Sequence, residues 1–359
     1  MKSAKKKRGL LILALGLLLA GACLCLWRLY ALASEAPAQY AAERWQGESE
    51  RRFAQVSCFV PVDEAVSRNQ IYAFRAKLME ELNKASLDGE GTDGLWRDAW
   101  SAVGKLQIAS DKGSAEASVI AVGGDFFSFH PLRLLGGGYL SEDDLMKDRV
   151  VLDRELAWKL YGGTELQGLS VEIAGRRFVI AGVVEREQDA ASRMAYTAGM
   201  GLFMSCESYA ALSGNENCIT AYELVLTEPV DGFAADVAGK NFPLGRGEVL
   251  KNTGRFSYGR LLGLLAKTDE RSMQAMGMIY PYWENAARVT ENRCLRLLLA
   301  AMLLALAPAA ALVVWIVRLL KRFRRWLAER FFPRAKDAAE EAVRRPLRRR
   351  WEKTHPDEK

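Results

Sequence analysis

Leu10–Trp27 reads LLILALGLLLAGACLCLW, and Leu297–Val317 reads LLLAAMLLALAPAAALVVWIV. These two stretches decide the layout of the chain. At 1.5 Å of rise per residue, each is long enough as a helix to cross a hydrocarbon layer of about 30 Å. Residues 28–296 between them are of mixed polarity. A chain that crosses twice around one large loop places the loop on one side and both ends on the other.

Charge assigns the sides, because Lys and Arg favour the cytoplasmic flank of a membrane helix. Lys2, Lys5, Lys6, Lys7 and Arg8 precede the first apolar run. Residues 318–359 hold 15 Lys/Arg against 7 Asp/Glu. The whole chain is +6, so the central loop is acidic. Both termini are therefore expected in the cytoplasm and residues 31–293 outside it. Ala31-Leu32-Ala33 is similar to a signal-peptidase site, but the apolar run exceeds the usual 7–15 residues of a signal core. The reading is a retained helix. Cys23 and Cys25 read as ordinary apolar membrane residues.

The basic balance does not point to nucleic acid, since the positive residues concentrate in the tails, where anionic lipid attracts each by about 1 kcal/mol. Ile316–Phe332 alternates apolar and basic residues at roughly helical spacing. It is expected to be interfacial, with Trp326, Phe331 and Phe332 among headgroups and Pro333 as its end. The last 25 residues are polar and helix-prone at DAAEEAVRR.

The expected plan is thus a basic tail (1–9), a membrane helix (10–30), an outer region (31–293), a second membrane helix (294–317) and a basic amphipathic tail (318–359). The outer region is long enough to bury a substantial core, expected as two mixed α/β subdomains on helical stalks. Its class is α+β, with crossovers possible in the first half.

Residues 34–50 are expected to extend the first helix outward, with an interruption possible at Pro37. Ala54–Val60 reads as a strand. Asn69–Ala85 puts Ile71, Phe74, Leu78 and Leu82 on one helical face. Residues 88–94 read as a loop. Residues 99–110 and 115–122 pair as strands across Asp111-Lys112-Gly113. Ser141 caps a short helical turn over the following acids. Arg149–Asp153 is a buried strand, followed by a helix over Arg154–Tyr161. Ser170–Ile173 and Arg177–Val184 form a hairpin. Gly201–Ser205 and Ala221–Leu226 are further strands. Met273–Arg296 reads as a long helix running into the second membrane segment.

Residues 119–184 carry a resemblance. The order is VIAVGGDFF, HPLRLLGGGYLSEDDL, DRVVLDRELAWKLYGG and LQGLSVEIAGRRFVIAGVV. It resembles the extracytoplasmic core domain of MacB-like ABC transporter permeases, the macrolide-exporter and lipoprotein-release type. Asp125, Phe126, Phe127, Leu134, Gly138, Tyr139 and Asp144 match the family's first stretch. Val150, Val151, Leu152, Ala157, Leu160, Tyr161 and Gly162 match the second. Gly168, Ile173, Gly175, Phe178, Val179, Gly182 and Val183 match the third. A permease of that family has four membrane helices, and two apolar runs are present here. No G-x-x-x-x-G-K-[ST] phosphate loop occurs.

The resemblance implies a shortened permease-type subunit without its own ATPase. Its partners would be an ABC ATPase subunit and possibly a four-helix permease in trans, with membrane lipids around it and a homo- or hetero-oligomer possible. The alternative is an envelope binding or sensing module with no transport role. In the transport reading Ala38–Glu50 and Glu270–Arg296 are the levers that carry motion. Small residues (Gly16, Ala20, Gly21; Ala300, Ala301, Ala305, Ala309) permit close helix packing.

An enzyme is not expected, and no catalytic, cofactor-binding or metal-ligating residue is assigned. The two histidines are His130 and His355. His130 reads as a structural hydrogen-bonding residue. Asp143, Asp144, Asp148, Asp153 and Glu155 read as helix starts and solvated faces, and residues 185–189 as a solvated charged loop. Cys58, Cys206, Cys218 and Cys294 lie in the outer region or at its edge. Cys206 and Cys218 flank a turn, and a disulfide between them stands beside buried thiols as an open alternative.

Overall fold

The computed structural model describes residues 2–85, 94–196, 199–266, 274–275 and 277–354. The loop expected at 88–94 falls almost wholly outside them, as do His355 and the start of the 270–296 lever. The chain forms two units, residues 28–297 and the residues that flank them on either side.

In chain order the elements begin with α1 (Lys2–Ser34), α2 (Ala41–Gln46), β1 (Phe53–Phe59) and α3 (Arg68–Lys84). The long hairpin β2 (Trp96–Ser110) and β3 (Gly113–Gly124) follows, then α4 (Phe126–Phe129) and β4 (Arg133–Gly137). Next come β5 (Arg149–Asp153), α5 (Arg154–Tyr161), β6 (Ser170–Ile173), β7 (Arg176–Glu185) and α6 (Ala190–Ala195). The outer unit continues with β8 (Gly201–Ser205), α7 (Cys206–Ser213), β9 (Ala221–Thr227), α8 (Phe233–Asn241), β10 (Glu248–Lys251) and α9 (Tyr258–Gly263). A two-stranded ribbon, β11 (Gln274–Ala275) and β12 (Met278–Ile279), precedes α10 (Tyr282–Thr354).

Ten strands share one mixed sheet in the order β10-β1-β9-β2-β3-β8-β5-β7-β4, with β6 pairing β2 and β7. The pairs β3/β8 and β5/β7 are parallel. Both hairpins expected from the sequence are present, closed at Ser110↔Gly113 and Ile173↔Arg176. The two halves of the outer unit are joined through this sheet, and each half has its own core. Ile71, Phe74, Leu78 and Leu82 of α3 pack with α8 over β1, β9 and β2. Leu156, Ala157 and Leu160 of α5 pack over β5, β7 and β8. Each buried Ile, Leu or Phe among these contributes about 1.5–3 kcal/mol. Ser67 begins α3 with a reciprocal capping box to Gln70, which satisfies two otherwise orphaned donors.

Among the residues that carry the family resemblance, Gly138 and Gly182 meet. A Cβ on Gly182 would lie 2.4 Å from the carbonyl oxygen of Gly138. The chain passes β7 this closely because Gly182 has no side chain, whereas a Cβ on Gly138 would meet nothing within 4 Å.

Several expectations are refined or corrected. The interruption expected as possible at Pro37 is present, and the extension past it is short: α1 ends at Ser34, a single 3-10 turn covers Pro37–Gln39, and α2 ends at Gln46. Pro37 has no N–H to continue the ladder. The helix expected from residue 273 begins at Tyr282, behind the β11/β12 ribbon and Pro281. Pro333 does not end α10, which runs on to Thr354. Ser141 caps a single turn there, accepting from the amide of Asp143 at its hydroxyl and from that of Asp144 at its carbonyl. The strand expected at Ala54–Val60 is present as β1, with all seven of its residues buried.

The flanking unit consists of the first part of α1 and α10 from Leu298 onward. Both contain helices long and apolar enough to cross a membrane, and their apolar residues are largely exposed (Leu10 70%, Leu303 70%). They touch at Gly21, where an added Cβ would lie 3.3 Å from Leu304. Gly16, another of the small residues, has nothing within 4 Å of its Cβ position.

Candidate coupling joint

Within the outer unit, the first four turns of α10 and the segment after α1 are seated on the sheet by buried polar groups. The seat starts in β1. Successive strand residues face opposite sides. Ala54, Val56 and Cys58 enter the core under α3, which turns Gln55 and Ser57 the other way. Gln55 donates from Nε2 to the carbonyl of Ala38 at 2.8 Å and accepts from the amide of Ala41 at 2.9 Å. One buried side chain thus fixes both ends of the bend between α1 and α2. Ser57 donates to Asn252 Oδ1 at 2.9 Å, and Asn252 donates to Gln39 Oε1 at 2.8 Å.

Arg255 stands at the centre, 5% exposed. It reaches Glu284 twice, at 2.6 and 2.7 Å, Glu291 at 2.8 Å and Gln39 at 3.0 Å. Arg288 adds a bond to Glu284 at 2.7 Å, reaches Glu248 of β10 at 2.8 Å and stacks 3.8 Å from the ring of Tyr280. Two guanidinium groups and two carboxylates of the core network balance, with Glu248 at its margin. Burial opposes the charge of Arg255, but Glu284 and then Glu291 outweigh it and hold the group well above its usual range. Burial likewise pushes the Glu284 carboxyl up, and Arg255 and Arg288 reverse this and hold it below the ordinary carboxylate range.

A second set of contacts seats the opening turn of α10. Trp283 enters the core formed by Phe126, Val151 and Phe203. Tyr282 donates to Glu187 at 2.9 Å. Ala286 packs against Ala191 and Ala195 of α6. Near the end of the seat, Cys294 Sγ lies 3.7 Å from the carbonyl of Leu29, so α1 and α10 meet there as well.

The residues weighed from the sequence are dispersed. His130 ends α4, is 1% exposed and lies 2.5 Å from Glu223 Oε2. Asp153 caps α5, accepting from the amide of Leu156 at 2.7 Å, and pairs with Arg186. It is a helix start but not a solvated one, being fully buried. Asp144 pairs with Arg149 at 3.5 Å, and Glu155 approaches Arg186 at 3.9 Å. Asp153 and Glu155 thus share Arg186, while Asp144 pairs elsewhere.

The 185–189 segment is not a solvated charged loop. Glu185 pairs with Arg133 and Arg154, Arg186 with Asp153, Glu187 accepts from Tyr282, and Asp189 caps α6. Cys206 and Cys218 are free thiols. They line one surface cavity of about 420 Å3 with Arg68 and Glu207, which pair. Burial raises both thiols.

Sequence reasoning missed Gln39, Gln55, Asn252 and Arg255. Glu284, Arg288 and Glu291 carried a usable signal: positions i, i+4 and i+7 share a helix face, and here that face is charged beside the apolar one.

No family model matches the chain, and no curated protein matches it. Among solved structures the chain is similar to the extracellular domain of a noncanonic ABC-type transporter, YknZ from Gram-positive bacteria. The identity is 15% and the TM-score 0.37, over 55% of this chain and 100% of that one. It is also similar to the periplasmic region of MacB from Actinobacillus actinomycetemcomitans, at 14% identity and a TM-score of 0.39, over 61% of this chain and 93% of that one.

Proposed function

We propose that this chain is a permease-like membrane subunit of an ABC-type transport system. Its outer unit stands beyond the cytoplasmic membrane, its two apolar helices cross the lipid, and both tails lie in the cytoplasm. Binding on the outer side is coupled to movement of the membrane helices. An ATPase subunit supplied in trans drives or senses that movement, and a fuller permease in trans completes the path.

The observation that carries this reading is the joint. Arg255, Gln39 and Asn252 link the bend after α1, the sheet and the start of α10 through one buried network. A helix is stiff along its axis, so a displacement imposed at Glu284 and Glu291 travels along α10. The matched residues between 119 and 184, the two apolar helices and the basic tails support the same reading. In this reading α10, which begins at Tyr282, is the lever.

The cavity beside Arg68 favours the second reading, an envelope binding or sensing module that needs no ATPase. Isolation of the full chain in mild detergent, followed by identification of stoichiometric partners and assay of ATP hydrolysis, separates the two. Transport predicts a co-purifying ATPase whose hydrolysis rate changes when Glu284→Gln loosens the joint. A chain that purifies without one, at native expression level, refutes the transport reading.

A further inference from the structure

We propose that Cys206 and Cys218 are a redox site: the two thiols exchange with an external disulfide and close into a disulfide that ties the first turn of α7 to the segment leading into β9. The inference goes beyond transport and stands whether or not an ATPase partners the chain.

The two sulfurs reach one place from different elements. Cys206 opens α7 behind its cap, Ser205, and is 5% exposed. Cys218 is half-buried and follows the turn that ends α7 at Gly214. Both belong to the core beneath α3, Cys206 within it and Cys218 packed against it. Both line the cavity of about 420 Å3 beside Arg68. Cys218 faces Cys206 closely enough to add to the effect of burial on its thiol. The other cysteines stand apart: Cys23 and Cys25 in α1, Cys58 in β1, and Cys294 beside the carbonyl of Leu29.

One member of the pair is fixed and the other adjustable. Cys206 is held by the core, and Ser205 anchors its helix by accepting from the amide of Ser208 at 3.1 Å. Ile219, next after Cys218, exchanges two backbone bonds with Val66, at 2.9 and 3.1 Å. Between these anchors residues 214–217 are exposed, and the Asn217 amide bonds Asn215 within the turn itself. An exposed turn shifts at little cost. A disulfide brings two Cβ atoms to about 3.8 Å, and the cavity leaves the Cys218 sulfur room to move in.

Exposure divides the roles. Cys218, open in part to solvent, is the attacking thiol, and Cys206, whose thiol burial raises well above its usual range, is the resolving one. Cys218 loses its proton to solvent, and its sulfur attacks one sulfur of the external disulfide, releasing one external thiolate. Cys206 then loses its proton through the cavity, with Arg68 facing the thiolate that forms. Its sulfur attacks the Cys218 sulfur and expels the second external thiolate. Both departing thiolates take up protons. Two protein thiols are oxidised to one disulfide, and one external disulfide is reduced to two thiols. Disulfides persist on the outer side of the membrane, where the proposed topology places this pair.

The full chain in detergent micelles is equilibrated with mixtures of reduced and oxidised glutathione, quenched in acid, alkylated and mapped by peptide mass spectrometry. A link between Cys206 and Cys218 should form with the loss of two hydrogens, to the same extent when the protein is diluted tenfold. In Cys206→Ala, Cys218 should stop at the mixed disulfide with glutathione. In the linked chain, amide exchange over residues 207–217 should slow by threefold or more. Glutathione on Cys218 with no link at any ratio overturns the pair. Glutathione found first on Cys206 in short-time quenches of the wild type overturns the order of attack, and this measurement decides the order if Cys206→Ala does not fold. A link that leaves exchange unchanged overturns the tie across α7.

Discussion

Replacing Arg255 with Met tests the joint most directly. The substitution keeps a side chain of similar length and removes the one group that bonds Glu284, Glu291 and Gln39 together. Glu284 and Glu291 are 1% and 5% exposed. Neither can recover water without α10 lifting from the sheet. Removing one partner of a buried pair and stranding the other costs about 3–5 kcal/mol. Glu284 keeps its bond to Arg288, which argues for the lower end. Local opening at 3 kcal/mol less free energy raises amide exchange by roughly 150-fold, since about 1.36 kcal/mol is a factor of ten. The assay is hydrogen exchange on the full chain in detergent, read at residues 282–291 and 252–257. Amides of α3 serve as control, because that helix makes no contact with the network. Acceleration confined to the joint is the expected result. A change below about fivefold would show that the pair behaves as a solvated one, worth about 0–1 kcal/mol, and would refute the reasoning.

Gly123→Ala should destabilise the outer unit by about 1–3 kcal/mol, because the new Cβ would lie 2.3 Å from the indole of Trp100 across the β2/β3 pair. The check is a lower urea midpoint of tryptophan fluorescence with an unchanged slope. The joint should also loosen in acid. Glu284 is held below its usual 4.5, so its contribution is complete above that value and disappears as pH falls through the lowered pKa. Glu187 acts with the opposite sign: its carboxyl is raised, so stability is lost as pH rises from 4.5 through the raised value. Exchange at 282–291 should therefore pass through a minimum at mildly acidic pH, and Glu187→Gln should remove the rise on the alkaline side only.

Much of the fold could be read from local patterns, and the reason is that local rules governed those parts. The face of α3 follows the helical period, and the same four residues are buried. The β2/β3 and β6/β7 hairpins follow from turn residues between alternating runs. What could not be read was set by distant partners. Gln55 and Ser57 alternate with the apolar residues of β1, yet Gln55 bonds the segment at Ala38 and Ala41, and Ser57 bonds Asn252, 195 positions away. Residues 185–189 have the composition of a solvated loop, yet each acid or base meets a partner supplied by another element or caps a helix. His130 was legible as a hydrogen-bonding residue, but Glu223, its partner 93 positions away, was not. Pro333 misled in the other direction. Its sequence signature is a helix end, at about 3 kcal/mol in a helix interior, and the helix continues regardless.

The chemistry of the joint bears on why it is polar at all. Apolar packing would hold α10 to the sheet with equal or greater strength, since a buried ion network often loses to a hydrophobic replacement of the same volume. Packing is tolerant of small slips, however, whereas Arg255 must meet two carboxylates that are seven residues apart on one helix face. A rotation of α10 by one residue moves both acids away from the guanidinium and leaves Arg255 without either carboxylate it bonds. The network therefore makes intermediate positions of α10 costly and favours discrete seats. A helix that relays a signal needs that property more than it needs adhesion. Substituting Met for Arg255 and Leu for Glu284 and Glu291 together should then keep the outer unit folded while leaving α10 free to sample several rotations. Paired spin labels on α10 and β10 would show this as a broadened distance distribution, and a distribution as narrow as that of the wild type would refute the registry role.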